Sequence, residues 1–397
     1  MNFVPLLSVA DVQLGKMLSP KAKTGSSYYR YLRNTNVQWG RFDLSDLAQM
    51  DFSAVERAKF ELRFGDLLVC EGGEPGRCAV WRDEAFGCYY QKALHRVRPH
   101  AGKADSEFLG LWIQHQAFTG AFEDQNSKTT IAHLPQIRLE QLLVPDVGAI
   151  EQRKIAARLK ARLAEVETAR KAVQAQVGDA ELLHQRLLKQ TFDALHDAPQ
   201  KILGEWAKTT SGSTPPRGDK RYWSPSEIPW VKTGEVAFAP ITVTEEAISR
   251  QALAECSLVL LPPKSVLIAM IGQGKTRGQS AILEIKATTN QNCFAVLPNE
   301  TWDADFLHQW LMASYQALRE LSASRGGSQS ALNGALLNAL EIPAPDIDQQ
   351  RRIVQRLKSQ LAEADAIRQV AAKQLAEIER LPRRLLAQAF DMTGADS

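Results

Sequence analysis

The stretch from Pro145 to Asp193 returns without a gap as Pro343 to Asp391, and about 20 of the 49 paired positions are identical, where chance would leave roughly three. The shared residues include Gln152/Gln350, Arg153/Arg351, Ile155/Ile353, Leu159/Leu357, Leu187-Leu188/Leu385-Leu386 and Phe192-Asp193/Phe390-Asp391. A chain of 397 residues built around such a repeat is a tandem duplication, and any fold assigned to it must place two copies of one unit. Within each copy the apolar positions fall three and four apart, from Ile155 through Leu159, Leu163 and Val166 to Leu187, and from Ile353 through Leu357, Leu361 and Ala364 to Leu385. That rhythm is the stripe of one long amphipathic helix.

A helix of roughly 40 residues is on the order of 60 Å long and cannot hide inside a small domain. Each stripe needs a partner, and the matched lengths predict that the two rods pair as an antiparallel coiled-coil-like couple. Ala169/Ile367 and Val173/Ala371 are expected to alternate large and small along that seam. Pro382 should kink or end the second rod, and Gly178 should weaken the first. The segments between the rods are rich in glycine, proline, aromatic and β-branched residues and predict mixed domains. Buried strands are expected at Asp66–Cys70 and Ser265–Ala269, each followed by a glycine-rich turn, with short helices at Ser106–Phe118 and Ala304–Leu321. The expected fold class is α+β, with two tandem, pseudo-twofold-related domains separated by the two antiparallel helices. The expected divisions are 1–149 for the first domain, 150–195 for the first spacer helix, 196–347 for the second domain and 348–397 for the second helix and tail.

Composition sets outer limits. No stretch approaches 18 uninterrupted apolar residues and the first residues lack a basic, then apolar, leader, so neither a membrane span nor a signal peptide is expected and the location predicted is cytoplasmic. The cysteines, Cys70, Cys78, Cys88, Cys256 and Cys293, form no C-x-x-C pair and are odd in number, which predicts reduced, partly buried thiols and no zinc ribbon. A net charge of +3 permits an acidic partner without demanding one.

Enzyme signatures fail residue by residue. Gly272-Gln273-Gly274-Lys275-Thr276 ends like a phosphate-binding loop, but the first glycine of that motif falls on Ala269. Asp146, Glu151 and Lys154 suggest a nuclease only until the second copy is read, where Glu151 and Lys154 become Gln349 and Arg352. The histidines are scattered and no Cys/His cluster forms. Leu261-Pro262-Pro263-Lys264 lacks the flanks of a methyl-donor motif. No catalytic residue, metal ligand or cofactor site is therefore assigned to the chain.

The glycine-rich turns Glu71–Arg77 and Ile271–Gly278 fit another task. Glycine lets backbone approach a ligand closely, while Arg, Lys, Gln and Asn read base edges or hold phosphates. The candidates for DNA contact in the first domain are Arg30, Arg33, Arg77, Gln91, Lys92 and Lys128. In the second they are Arg217, Lys232, Gln273, Lys275, Arg277, Asn290 and Gln291. Each alone could be a solvated turn; their recurrence at matching places in two duplicated domains is what points to DNA.

At these residues the chain resembles the specificity subunits of type I restriction-modification enzymes. Leu143-Val144-Pro145-Asp146 running to Glu151-Gln152-Arg153-Lys154-Ile155, and Ile342-Pro343-Ala344-Pro345 running to Gln349-Gln350-Arg351-Arg352-Ile353, are similar to that family's helix starts. Ser127–Leu134 and Gly326–Leu332 are similar to the loop that closes each recognition domain, and Ser211–Pro215 with Ile228–Val231 to the opening of the second. The resemblance implies that each domain binds half of a bipartite, asymmetric site in double-stranded DNA, while the helix pair fixes the spacer. It further implies two methyltransferase subunits docked on the helices, with Gln152, Arg153, Gln350 and Arg351 facing them, and restriction/translocase subunits joined to that core. S-adenosylmethionine, ATP and Mg would belong to those partners, with none bound by this chain. Two other readings fit the same pattern: a scaffold whose two domains bind proteins, and the targeting subunit of a related bipartite restriction system. Salt separates the scaffold from a DNA reader, which loses affinity steeply as salt rises.

Overall fold

The computed structural model describes residues 2–18, 25, 27–123, 133–272, 274–323 and 331–391. The chain divides into two compact units, Met1–Val173 with Lys373–Ser397, and Gln174–Ala372. Each unit therefore holds one mixed domain, half of the first long helix and the opposite half of the second.

In the first unit β2 (Ala10–Leu14), β10 (Leu94–Pro99), β7 (Leu67–Cys70) and β8 (Cys78–Val80) form an antiparallel sheet in that order. In the second, β13 (Thr209–Ser211), β19 (Cys293–Val296), β16 (Val266–Ala269) and β17 (Ser280–Ile282) repeat it. A smaller sheet sets β3 (Tyr28–Leu32) between antiparallel β6 (Ala48–Asp51) and parallel β9 (Tyr89–Tyr90). Its counterpart sets β14 (Ile228–Val231) between β15 (Glu246–Ile248) and β18 (Thr288–Thr289) in the same senses. A terminal pair closes each domain, β1 (Phe3–Pro5) with β11 (Leu143–Pro145) and β12 (Gln200–Ile202) with β20 (Glu341–Pro343). Among the described residues only the first unit adds a hairpin, β4 (Val37–Gln38) with β5 (Arg41–Phe42). Two domains of unlike sequence thus share one topology.

The period-2 rule explains why the central strands are apolar throughout. Along β7, Leu67 and Val69 enter one core, and the alternate residues Leu68 and Cys70 enter another. Along β16, Val266 and Ile268 divide from Leu267 and Ala269 in the same way. A strand buried on both faces needs a continuous hydrophobic run rather than an alternating one. Burial also removes the thiols from chemistry: Cys70, Cys78, Cys88 and Cys293 are buried and unpaired, and desolvation pushes Cys70 up to about 11 and Cys88 up to about 12. A thiol held that high carries almost no thiolate near neutral pH.

Short helices α1 (Ala54–Phe60), α2 (Ser106–Phe118) and α3 (Gln136–Glu140) complete the first domain. The second domain has α5 (Leu203–Trp206), α6 (Arg250–Glu255), α7 (Ala304–Ala313), α8 (Tyr315–Ala323) and α9 (Gly334–Asn338). The expected single helix after Asp303 is therefore two, separated at Ser314. The long helices are α4 (Ala149–Asp193) and α10 (Ile347–Asp391), each of 45 residues. α10 continues through Pro382, so proline does not end it.

Each unit shows how the repeated helix residues are used. Ile155 and Leu159, near the start of α4, share a core with Leu386 and Phe390, near the end of α10. In the other unit Leu188 and Phe192, near the end of α4, share a core with Val354, Leu357 and Leu361, near the start of α10. Start against end in one core means that the helix segments run antiparallel within each unit. Phe390 meets Phe108 of α2 edge-on at 5.7 Å, and Phe192 meets Phe306 of α7 edge-on at 5.4 Å, so the repeated Phe anchors each helix end to the domain of its unit. One repeated position of the expected stripe is not buried: Ile367 is 55% exposed and its counterpart Ala169 is also exposed.

Candidate nucleic-acid interface

In each domain the turn after β9 or β18, the loop after β3 or β14 and the glycine-rich turn are tied together by the same backbone bonds. The Gln91 amide donates to the Leu32 carbonyl at 3.1 Å, and the Asn290 amide to the Val231 carbonyl at 3.0 Å. The Glu71 amide donates to the Ala93 carbonyl at 3.0 Å, and the Met270 amide to the Asn292 carbonyl at 2.9 Å. By these registers Gln91 corresponds to Asn290, Lys92 to Gln291 and Arg33 to Lys232. The anticipated edge therefore exists twice.

Its side chains are more committed than the sequence suggested. Arg77 bridges Glu74 at 3.0 Å and the Asn34 carbonyl at 2.9 Å, tying the glycine turn to the loop after β3. Asn290 accepts from the Thr233 hydroxyl at 2.9 Å, and Gln291 accepts from the Thr214 hydroxyl. Arg217 lies over Trp223 at 4.0 Å and Trp230 at 4.9 Å while pairing with Glu246. Arg30, Lys92 and Lys275 are exposed, whereas Arg277 is half-buried with its carbonyl accepting from Arg319 at 3.0 Å. Lys128 and Gln273 lie outside the described residues, as do most of the loops Ser127–Leu134 and Gly326–Leu332.

Arg33 and Lys232 recur in one construction. The Arg33 amide donates to the Asn36 side chain at 2.9 Å, and the same amide group of Asn36 donates to the Asp46 carbonyl at 3.0 Å. The Lys232 amide donates to the Glu235 carboxylate at 2.6 Å, and the Glu245 amide donates to that carboxylate's other oxygen at 2.9 Å. The cation then pairs with the tethered segment: Arg33 with Asp46 at 2.6 Å, and Lys232 with Glu245 and, at 3.2 Å, with Glu246. The bonds from Glu245 and Glu246 hold the Lys232 ammonium above its ordinary range. Asn36, Asp46, Glu235, Glu245 and Glu246 were not singled out from sequence, because no spacing rule links residues joined across a strand pair.

The glutamines of the helix starts are not where a partner could reach them. Gln152 is buried; it accepts from the Asp105 amide at 2.8 Å and donates to the Val147 carbonyl at 2.8 Å. Gln350 is fully buried; it accepts from the Asp303 amide at 2.9 Å and donates to the Thr301 and Pro345 carbonyls at 2.8 Å each. Asp105 and Asp303 are the N-caps of α2 and α7. The repeated glutamine is thus a clamp fixing each long helix to its domain, which corrects its assignment to partner contact. Arg153 and Arg351 remain exposed, Arg351 with Asp303 and Asp348 both at 3.7 Å. Gln152→Ala or Gln350→Ala should destabilise its domain by about 2–3 kcal/mol, since a buried amide N–H and at least one carbonyl lose their partners. Hydrogen exchange of the Asp105 or Asp303 amide checks this; unchanged protection would contradict the clamp.

Comparison with known proteins agrees with this architecture. Residues 200–380 match the family model of the type I restriction modification DNA specificity domain. The Escherichia coli type I restriction enzyme EcoR124I/EcoR124II specificity subunit is 27% identical over 158 residues, 40% of this chain and 39% of its own length. The MjaIX specificity subunit of Methanocaldococcus jannaschii is 29% identical over 156 residues, 38% of this chain and 34% of its own. The chain thus aligns with under two fifths of the length of either relative. Two solved structures share the fold over nearly the whole chain. One, from work on complex assembly and conformational transition of the type I R-M system, gives a TM-score of 0.76 at 20% identity, covering 98% of this chain and 97% of the other. The other, the HsdS subunit from Thermoanaerobacter tengcongensis, gives 0.61 at 19% identity, covering 98% and 96%. The resemblance carried by the helix starts is borne out.

Proposed function

We propose that this chain, a relative of the type I restriction-modification specificity subunits, reads double-stranded DNA through its two domains, each taking one half of a bipartite site. The observation that carries this reading is the twice-built edge, in which unlike sequences preserve the same strand order, turn contacts and clustering of basic and amide side chains. Phosphate contacts from exposed residues such as Arg30, Lys92 and Lys275 would supply salt-dependent affinity, and base contacts would supply discrimination. α4 and α10 would set the spacer and dock two methyltransferase subunits through exposed residues such as Arg153 and Arg351. Methyl transfer with S-adenosylmethionine, and any ATP- and Mg-dependent translocation and cleavage by restriction subunits, would belong to those partners. The chain itself acts as a non-catalytic subunit. The modest charge of +3 fits this division, because partner subunits can add positive surface.

Exchange of residues 1–140 for the first domain of another specificity subunit tests the reading. Sequencing the methylation pattern of a host expressing the hybrid with its modification subunit should show one half of the methylated motif altered and the other half and the spacer retained. Alteration of both halves, or no motif of two parts at all, would contradict it. A second test is the Lys275→Ala/Arg277→Ala double variant in the assembled methyltransferase. It should weaken DNA binding and lower the steepness of its salt dependence by up to about two phosphates' worth; unchanged affinity and methylation pattern would remove this turn from the interface.

A further inference from the structure

We propose that Asp46 in the first domain and the Glu245–Glu246 pair in the second are positioning residues that aim Arg33 and Lys232 at the DNA and thereby set how sharply each half-site is read. The inference rests on the proposed function and deepens it.

Three observations converge on it. The same construction is built twice with different chemistry: an amide bridges cation and carboxylate segments through Asn36, and a carboxylate does so through Glu235. The cations that result are equally presented, with side chains 30% exposed for Arg33 and 32% for Lys232. Stability does not account for Asp46 and Glu245, which are 83% and 69% exposed, because ion pairs that open to water contribute little; Glu246, 30% exposed, is shared with Arg217. A water-exposed pairing, Arg33 with Asp46 and Lys232 with Glu245, that recurs between diverged domains needs another reason.

Geometry supplies one. Arg33 uses only Nη2 for both of its bonds to Asp46, so the rest of the guanidinium has no acceptor on Asp46. A long cation free to rotate meets every base and phosphate alike; one braced by a carboxylate keeps its donors in one direction, and unlike bases then differ in fit. The bracing carboxylate also repels the phosphate backbone, so it opposes indiscriminate binding while leaving a correctly placed base acceptor its full value.

The test uses the assembled methyltransferase with the Asp46→Asn variant, and duplexes carrying the cognate site or single-base changes in one half. The half belonging to the first domain is identified beforehand by domain exchange. Asp46→Asn should bind non-cognate duplex more tightly than the parent at low salt. Its discrimination should fall about tenfold at one or more positions of the first half-site, with the second half-site and the thermal midpoint unchanged. Asp46→Glu should recover part of the discrimination, and Glu245→Gln/Glu246→Gln should show the mirror effect on the second half-site. Discrimination retained in both halves by folded Asp46→Asn would overturn the inference and leave the proposed function standing. Loss in both halves would make the effect global and overturn it as well. A parent complex with no sequence preference would instead overturn the proposed function, and the inference with it.

Discussion

Gly15→Ala and Gly212→Ala should each disrupt the domain that carries the change, at a cost of at least about 4 kcal/mol. A Cβ on Gly15 would stand 2.2 Å from the Gln91 carbonyl oxygen, and one on Gly212 would stand 1.9 Å from that of Thr289. Both obstacles are backbone, so no rotamer relieves them; the strand must leave its neighbour. Departure breaks the Lys16 amide bond to the Tyr90 carbonyl at 3.1 Å, or the Ser213 bond to Thr289 at 3.0 Å. The turn displaced is the one that carries Gln91 and Lys92, or Asn290 and Gln291. The stability loss should therefore come with loss of one half-site. Gly178→Ala is the control: nothing lies within 4 Å of that Cβ, and alanine in an exposed helix should be neutral or stabilising by up to about 1 kcal/mol. Limited proteolysis of each variant decides the matter, and resistance equal to the parent's in Gly15→Ala and Gly212→Ala would refute the packing argument.

The features legible in sequence were those with a period or a duplication. The stripe from Ile155 and its copy from Ile353 located both long helices, and the runs at Leu67–Cys70 and Val266–Ala269 located the central strands, because burial on both faces leaves a continuous apolar signature. The turns that would face DNA were legible too, since glycine clusters mark places where backbone must bend. Helix ends and interruptions were less so: proline was expected to disturb α10 at Pro382, but a helix of 45 residues held by packing tolerates one missing N–H. What stayed hidden were roles fixed by long-range partners. Gln152 and Gln350 repeat in sequence because each clamps an N-cap in its own unit, and a repeat alone cannot distinguish a shared internal clamp from a shared external partner. Asp46 and Glu246 were invisible for the complementary reason, as they lie in segments that differ between the copies and act through equivalent backbone positions.

Removal of Arg98 should cost the first domain about 3–5 kcal/mol, because it strands a buried charge. The Asp66 side chain is 1% exposed and takes Arg98 Nε at 2.6 Å and Nη2 at 2.7 Å, with the Arg63 amide at 2.8 Å. Arg98→Ala leaves that carboxylate with one donor in a site that water does not reach. The second domain shows how the same fold does without the pair. Strand register places Ser265 where Asp66 stands and Leu297 where Arg98 stands. Around Ser265 the backbone repeats: its amide donates to Pro262 at 3.3 Å as that of Asp66 does to Arg63 at 3.0 Å. Its carbonyl accepts from Leu283 at 2.9 Å as that of Asp66 does from Trp81 at 2.7 Å. The Ser265 hydroxyl satisfies itself on the Pro262 carbonyl at 2.8 Å. The fold therefore needs a satisfied turn at this position and not a charge. Asp66→Ser combined with Arg98→Leu should consequently recover most of what Arg98→Ala loses, ending within about 1–2 kcal/mol of the parent. The single changes and the double change form a cycle whose coupling can be read from hydrogen exchange of the β7 and β10 amides. A double variant as unstable as either single would mean that the ion pair itself holds the first domain together, and that the two copies diverged in how they are stabilised.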